Sequence, residues 1–207
     1  MKKILKRLTM IIVLLFLLTF TASFPVIGKG YEMYQEAMDE KSLTNRIWEY
    51  KQDSNYVTID NIAPEYQKAL VQTEDQRFYD HHGVDPLALM RALYNDIKAG
   101  AFVEGGSTIT QQLAKNMCFP FDKRLERKVA EVFVAKRLEQ TLTKDEILEL
   151  YCNIVYFGNG CYGIKEASNY YYGISPDELT DKQSKALVRT LRAPNRYNPK
   201  EAMYATQ

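Results

Sequence analysis

Metal ligands are scarce in this 207-residue chain. It has two histidines, His81 and His82, side by side, and three cysteines, Cys118, Cys152 and Cys161, at no metal-binding spacing. That composition argues against a zinc enzyme. The odd cysteine count argues against a disulfide framework. One Cys152–Cys161 bridge is open in an oxidising compartment, and three unpaired small apolar side chains are the simpler reading. Alternating strand patterns are nearly missing, with one weak candidate at 56–59, and there is no internal repeat or low-complexity tract. Acidic residues are missing from positions 1–30, where Lys2, Lys3, Lys6, Arg7 and Lys29 stand without a counter-charge. The remainder holds 22 bases against 26 acids, so its net charge is −4. An acidic body lacks the broad basic footprint of a nucleic-acid binder, and nucleic acid is excluded as a partner.

What is present is a globular composition, 46% hydrophobic and 26% charged, in a chain long enough for one domain with a real core. Four of the early bases precede an uncharged run from Leu8 to Ile27, about the 20 residues a helix needs to cross a bilayer. The bases place the tip in the cytoplasm and the rest outside. The expected organisation is a cytoplasmic basic tip and transmembrane anchor at 1–30, a membrane-proximal linker or short helix at 31–58, and a globular domain at 59–207. Thr21-Ala22-Ser23 also offers a signal-peptide cleavage site, but apolar character resumes at Phe24, Val26 and Ile27, which favours an anchor.

Helix signals dominate the body. Asp85-Pro86 pairs an N-cap with proline at the first helical position, and Leu87, Met90, Tyr94 and Ile97 make one apolar stripe ended by Gly100. Thr143 with Glu146, and Ser175-Pro176 with Glu178, read as capping boxes. The domain is expected to be mostly α.

Four segments concentrate polar chemistry. Glu74-Asp75 opens a run to Asp85 at a helix-to-loop junction, where charged side chains project into clefts from rigid supports; alone, the pair also suits a solvated surface. Gly105-Gly106-Ser107-Thr108 leads into Gln111, Gln112, Lys115 and Asn116, a loop feeding a helix N-terminus that attracts anions, or simply a well-capped helix. Residues 123–137 carry six bases and two acids, with Arg124, Arg127, Lys128 and Glu131 inside one helical arc of about 100°. Leu125, Val129, Val132 and Phe133 occupy a separate arc assigned to the core. This is a site for a phosphate group, or a solvated Arg127–Glu131 pair of little energetic weight. Gly158, Gly160 and Gly163 demand unusual backbone geometry or close approach.

In this order the segments resemble the family 51 peptidoglycan glycosyltransferases, which include monofunctional biosynthetic transglycosylases and the glycosyltransferase domains of bifunctional penicillin-binding proteins. Glu74-Asp75-x-x-Phe78-x-x-His81-x-Gly83-x-Asp85 is similar to the first motif, and Gly106-Ser107-Thr108-Ile109-Thr110-Gln111-Gln112-Leu113-x-Lys115-Asn116 to the second. Arg127-Lys128-x-x-Glu131, continued by Glu149-x-Tyr151-x-Asn153, resembles the third. Gly160-x-Tyr162-Gly163 and Ala193-Pro194-x-Arg196-Tyr197-Asn198-Pro199 resemble the last two.

The resemblance implies a lysozyme-like helical domain beside the membrane that polymerises lipid II into β-1,4-linked glycan strands and releases undecaprenyl pyrophosphate. Glu74 would be the general base of an inverting displacement. Glu131 would assist departure of the pyrophosphate, directly, through the neighbouring bases or through a divalent cation, Mg or Mn, the one cofactor it allows. Asp75, Phe78, His81, Ser107, Thr108, Gln111, Gln112, Lys115, Asn116, Arg124, Arg127 and Lys128 would line the donor site. Proteins of a cell-wall synthesis complex are the partners it implies beyond the growing glycan and the membrane. Cys152, Ser168, Gln183 and Arg192 depart from the usual pattern. The chain also stops eight residues after Pro199, where relatives continue, so it reads as monofunctional or C-terminally short. A lytic enzyme is opposed by the anion-binding features, since strand cleavage releases no pyrophosphate; an inactive scaffold is opposed by the presence of both glutamates. Met117-Cys118-Phe119-Pro120-Phe121 either dips into the membrane or packs internally, and its apolar run beside a basic helix favours the former.

Overall fold

The computed structural model describes residues 2–101, 105–120 and 124–200, without the side chains of 2–5, 8, 11–13, 15–19 and 22. Its helices run α1 Lys2–Glu40, α2 Leu43–Lys51, α3 Pro64–Glu74, α4 Pro86–Ala99, α5 Ile109–Cys118, α6 Leu125–Thr141, α7 Lys144–Ile154, α8 Gly163–Tyr172 and α9 Asp181–Thr190. Single 3-10 turns sit at Ile59–Asn61 and Pro176–Glu178. Among the described residues there is no strand, only one antiparallel bridge between Tyr156 and Tyr162. The domain is mostly α-helical, as its capping signals require.

Local chemistry starts several of the helices. Thr108 Oγ1 accepts from the Gln111 amide at 3.1 Å while Gln111 Oε1 accepts from the Thr108 amide at 3.1 Å, a complete capping box on α5. Thr143 with Glu146 opens α7 the same way, and Thr180 with Gln183 opens α9. Ser175 and Glu178 form the box expected of them, but around one 3-10 turn rather than a helix.

The strand candidate at 56–59, whose last residue Ile59 opens a 3-10 turn, has no strand partner among the described residues. Its backbone pairs instead with side chains of α7: the Val57 amide donates to Asn153 Oδ1 and the Val57 carbonyl accepts from Asn153 Nδ2, both at 2.8 Å. The Ile59 amide donates to Glu149 Oε2 at 2.8 Å. Buried backbone groups need partners, and an amide and a carboxylate supply here what a neighbouring strand would otherwise give.

The core lies where α5 packs between α6 and α7, with α3 against α9 and α7 against α8. Tyr66, Leu70, Phe78, Leu113, Leu138, Leu148 and Tyr151 are fully buried there. Each apolar side chain of this size contributes roughly 1.5–3 kcal/mol on burial.

The face of α6 turned to this core is not the one assigned from its apolar arc. Ala130, Glu131, Val134, Ala135 and Leu138 are buried, whereas Leu125 is 72% exposed. The reason is that α6 is covered on two sides. Val129 and Phe133 face α1, where Phe133 packs edge-on against Tyr31 with ring centroids 5.1 Å apart and lies 5.7 Å from Tyr34. A Cβ on Gly30 would fall 2.5 Å from Val129 Cβ, so glycine is what lets α1 approach α6.

Residues 31–58, expected as a linker or short helix, are built into the body. Ala37, Leu43 and Ile47 are buried. The Arg46 guanidinium donates to Ala37 O at 2.9 Å, Lys41 O at 3.1 Å and Met117 O at 3.2 Å, tying the end of α1 to the end of α5. Met117 itself is buried and Cys118 and Phe119 pack partly against the core, while Pro120 is exposed and Phe121 lies outside the described residues. The three cysteines are free thiols, with Cys152 and Cys161 buried.

Exposed apolar surface lies elsewhere. On α4 the stripe Leu87, Met90, Tyr94 and Ile97 is 64–72% exposed, and only Ala92 of this helix is buried. On α1, Met10, Leu14, Phe20, Phe24 and Ile27 are exposed. Among the described residues no helix is long and apolar enough to cross a membrane.

Candidate active site

A cleft of about 1100 Å³ opens between the C-terminal end of α3, one face of α4 and the N-terminal half of α5. Glu74, the last residue of α3, stands in its wall together with Gln112 and Lys115 of α5, Ser107, Arg91 and Asn95 of α4, and Arg192. The cleft is lined mostly by polar side chains, with cations facing Glu74 and with Asp75 at its back.

Glu74 is oriented by a relay from the core. The Tyr151 hydroxyl, fully buried, donates to Gln112 Oε1 at 2.9 Å, and Gln112 Nε2 donates to Glu74 Oε2 at 2.9 Å. Burial, then the nearby Glu74 charge, push the Tyr151 hydroxyl well above its ordinary pKa, so it acts as a fixed donor.

Behind Glu74, Asp75 fastens the loop. His81 Nε2 bonds both Asp75 oxygens at 2.9 and 3.0 Å, and the Ile109 amide, at the start of α5, donates to Asp75 Oδ2 at 3.0 Å. Thr108 donates to Gly83 O at 2.7 Å, closing the same junction. Arg77 forks onto Asp85, with Nε to Oδ2 at 2.9 Å and Nη2 to Oδ1. Asp85 also caps α4 by accepting from the Leu87 and Ala88 amides at 2.9 and 3.0 Å. The Arg77 guanidinium holds the Asp85 carboxyl far below the usual carboxylate range, with the two amides adding to it against the opposing effect of burial.

The second glutamate is buried. Glu131, 1% exposed, accepts from Arg127 Nη1 at Oε1 and from Lys128 Nζ at Oε2, 2.8 Å away. Lys128 Nζ also donates to Ser107 Oγ at 2.7 Å, which brings its charge to the cleft edge. Lys115 is half-buried beside this group. Burial, opposed by Glu131 and reinforced by Arg127 and Lys128, lowers its ammonium below the ordinary lysine pKa. The result is a cationic wall balanced by one internal carboxylate. It suits a diphosphate, since anions gain most from charges held in place before they arrive. A divalent cation fits poorly here: both Glu131 oxygens already accept from cationic donors, and the neighbouring side chains are cations rather than oxygen ligands. Among the described residues no group of three or more His, Cys, Asp and Glu side chains is placed to hold a metal ion.

Of the residues picked out in the sequence, Glu74, Ser107, Gln112 and Lys115 meet at the cleft, with Glu131, Arg127 and Lys128 just behind. Asp75 and His81 are buried and engaged with each other. Phe78 is wholly inside, under the Lys144 ammonium at 4.5 Å from its ring centroid, so its part is support rather than contact. Thr108 and Gln111 are spent on the α5 cap. Asn116 points to a separate cavity of about 280 Å³ with Tyr50, Asn153 and Tyr156. Arg124 is exposed at the N-cap of α6, and Lys123 lies outside the described residues.

Sequence reasoning missed Arg91 and Asn95, which share α4 with the exposed apolar stripe but turn to the cleft. It noted Arg192 only as a departure. The signal for Arg91 was its position, four residues before Asn95 on the helix flank beside the stripe.

The family profile described as Transglycosylase matches residues 39–207. Penicillin-binding protein 1A of Escherichia coli is 47% identical over 147 residues, 71% of this chain and 17% of that protein. Penicillin-binding protein 1F of Bacillus subtilis is 45% identical over 150 residues, 72% of this chain and 21% of that protein. A monofunctional glycosyltransferase of Staphylococcus aureus is 42% identical over 153 residues, 70% of this chain and 56% of that protein. The chain thus spans about a fifth of the two penicillin-binding proteins and little more than half of the monofunctional relative. A profile match over most of the chain, together with a Glu74 cleft opposite the Lys115–Glu131 wall, shows that this chain belongs to the transglycosylases of glycosyltransferase family 51.

Proposed function

We propose that this chain polymerises lipid II into β-1,4-linked glycan on the outer side of the cytoplasmic membrane. The observation that carries the reading is the pairing of an oriented carboxylate, Glu74, with an anion-binding wall across one cleft. Glu74 removes the proton from the 4-hydroxyl of the acceptor sugar. That oxygen forms its bond to the anomeric carbon of the donor as the bond to the diphosphate oxygen breaks, with inversion. The proton stays on Glu74, and the electron pair leaves on undecaprenyl pyrophosphate. Lys115, Lys128 and Arg127 stabilise the charge gathering there, while Glu131 keeps Arg127 and Lys128 in place.

The apolar run from Leu8 to Ile27, preceded by Lys2, Lys3, Lys6 and Arg7, serves in this reading as a single-pass anchor. The exposed stripe of α4 supports a cleft lying against the bilayer, where a lipid-linked substrate is held.

Purified lipid II incubated with the detergent-solubilised protein tests the reading. Polymer from the wild type, and a rate lower by about 10²–10⁴-fold in Glu74→Gln, is the expected result. Folded wild-type protein that makes no polymer overturns it. Undiminished polymer from Glu74→Gln overturns the assignment of the base.

A further inference from the structure

Residues 181–200 carry six bases, Lys182, Lys185, Arg189, Arg192, Arg196 and Lys200, and one acid, Asp181. Their net charge of +5 stands against a body of net −4. Lys185, Arg189 and Arg192 fall at i, i+4 and i+7, one face of α9 and its continuation, and all three are exposed while Leu187 and Val188 hold the helix against α3. They line a groove of about 290 Å³ with Thr73 and Tyr197. Thr73 precedes the catalytic base, and Arg192 belongs to both this groove and the cleft. The groove is therefore a side arm of the active site on the Glu74 side.

The arm is built for an anion. The Arg189 guanidinium lies over the Tyr197 ring at 5.2 Å, with Arg196 also over that ring at 5.5 Å, so one aromatic ring holds both exposed cations in place. Among the described residues, Lys185 of the three groove cations has an acidic partner, the exposed Asp181 at 2.7 Å. Like charges at i and i+4 cost a helix a few tenths of a kcal/mol. The dipole at the end of α9 favours cations there but does not explain a groove that runs into the catalytic cleft.

We infer that the Lys185–Arg189–Arg192 arm binds the carboxylates of the short peptide carried by the acceptor disaccharide. This rests on the glycosyltransferase reading above. Peptide is the anionic part of such a substrate that points away from the lipid. The arm belongs to the α3–α9 side of the fold, whereas the anchor-bearing α1 packs on α6. The diphosphate already has its wall at Lys115, Arg127 and Lys128. Planar guanidinium groups also match carboxylates through paired hydrogen bonds.

The test compares lipid II bearing a free-carboxyl peptide with lipid II whose peptide carboxyls are capped as amides, both in neutral detergent so that no anionic lipid contributes. Wild type is expected to show a kcat/KM about tenfold higher for the free-carboxyl substrate, the difference lying in KM, as charge-assisted hydrogen bonds of this kind allow. In the double variant Lys185→Gln/Arg189→Gln that ratio falls to near one; Arg189→Lys alone keeps most of it. Equal wild-type values for the two substrates overturn the inference, as does a ratio that survives in the double variant. A loss of equal size on both substrates assigns the arm to the diphosphate or to structure and overturns it too. No polymer from either substrate overturns the glycosyltransferase reading and this inference with it.

Discussion

Gln112 presents its amide nitrogen, not its oxygen, to Glu74 because Tyr151 occupies the oxygen with a donated hydrogen bond of 2.9 Å. A buried phenol thereby sets the direction of a side chain that in turn aims the Glu74 carboxylate, the proposed base. Tyr151→Phe removes that constraint without removing volume. The expected outcome is a kcat lower by about tenfold with KM nearly unchanged, since small losses of positioning cost rate rather than ground-state binding. Steady-state polymerisation kinetics check it. A KM effect with unchanged kcat would place Tyr151 in substrate binding instead.

The Arg127–Glu131–Lys128 group makes a second prediction. Removing one partner of a buried ion pair leaves a charge without compensation, at a cost of about 3–5 kcal/mol. Glu131 is almost wholly inside and Arg127 nearly so, whereas the Lys128 side chain is 44% exposed. Arg127→Ala is therefore expected to destabilise the domain by about 3 kcal/mol. Lys128→Ala is expected to cost under about 1 kcal/mol, because solvent screens its half of the interaction. Denaturant unfolding in detergent measures both. Similar losses for the two variants would contradict the burial of Glu131.

These contrasts mark where the sequence stopped being informative. Capping boxes at Thr108 and Thr143 could be read directly, because donor and acceptor sit three residues apart and the chemistry is local. The cleft residues of motif-like segments were legible as residue types, but not as roles. Asp75 looks like a partner for substrate until Ile109, 34 residues on, is seen to donate to it. Glu131 was assigned to a cationic face turned away from the core because one apolar arc suggested one buried side. In the fold α6 is covered by α1 on that arc and by α5 on the other, so the small residues Ala130 and Ala135 carry Glu131 inside with them. The stripe of α4 was legible as a stripe, yet periodicity cannot say whether a face meets protein or something else. The α9 arm was hidden for the same reason: its meaning depends on Thr73, which comes from α3.

Lys115 gives a pH signature. Its ammonium is lowered from the ordinary value near 10.5 by burial, with Arg127 and Lys128 adding to the effect. A lowered pKa means that the proton is lost earlier as pH rises, and in the proposed reaction the neutral amine would no longer stabilise a departing diphosphate. The alkaline limb of kcat/KM is therefore expected below the normal lysine range. Lys115→Arg keeps the charge at every accessible pH and is expected to shift that limb upward, even if the maximum rate falls. A limb unmoved by Lys115→Arg assigns it to another group. The pH profile of initial rates decides between them.

Asp85 makes the opposite prediction at the acid end. Its carboxyl is held well below the unfolded value, about 3.9, chiefly by Arg77 and also by the Leu87 and Ala88 amides. A depressed pKa stabilises the fold fully above the unfolded value, and the contribution fades as pH falls below it toward the folded value. Asp85→Ala removes the cap of α4 and the Arg77 fork together. At pH 7 the expected loss is about 2 kcal/mol, of which about 1 is the cap. At pH 3 the gap between wild type and variant should narrow, because the ionised form then stabilises the wild type less. It should also show at the cleft, since α4 carries Arg91 and Asn95 into its wall. Unfolding followed at both pH values, with lipid II polymerisation measured at pH 7, checks the argument. A gap that widens in acid would mean that Asp85 is not the group whose ionisation holds this helix.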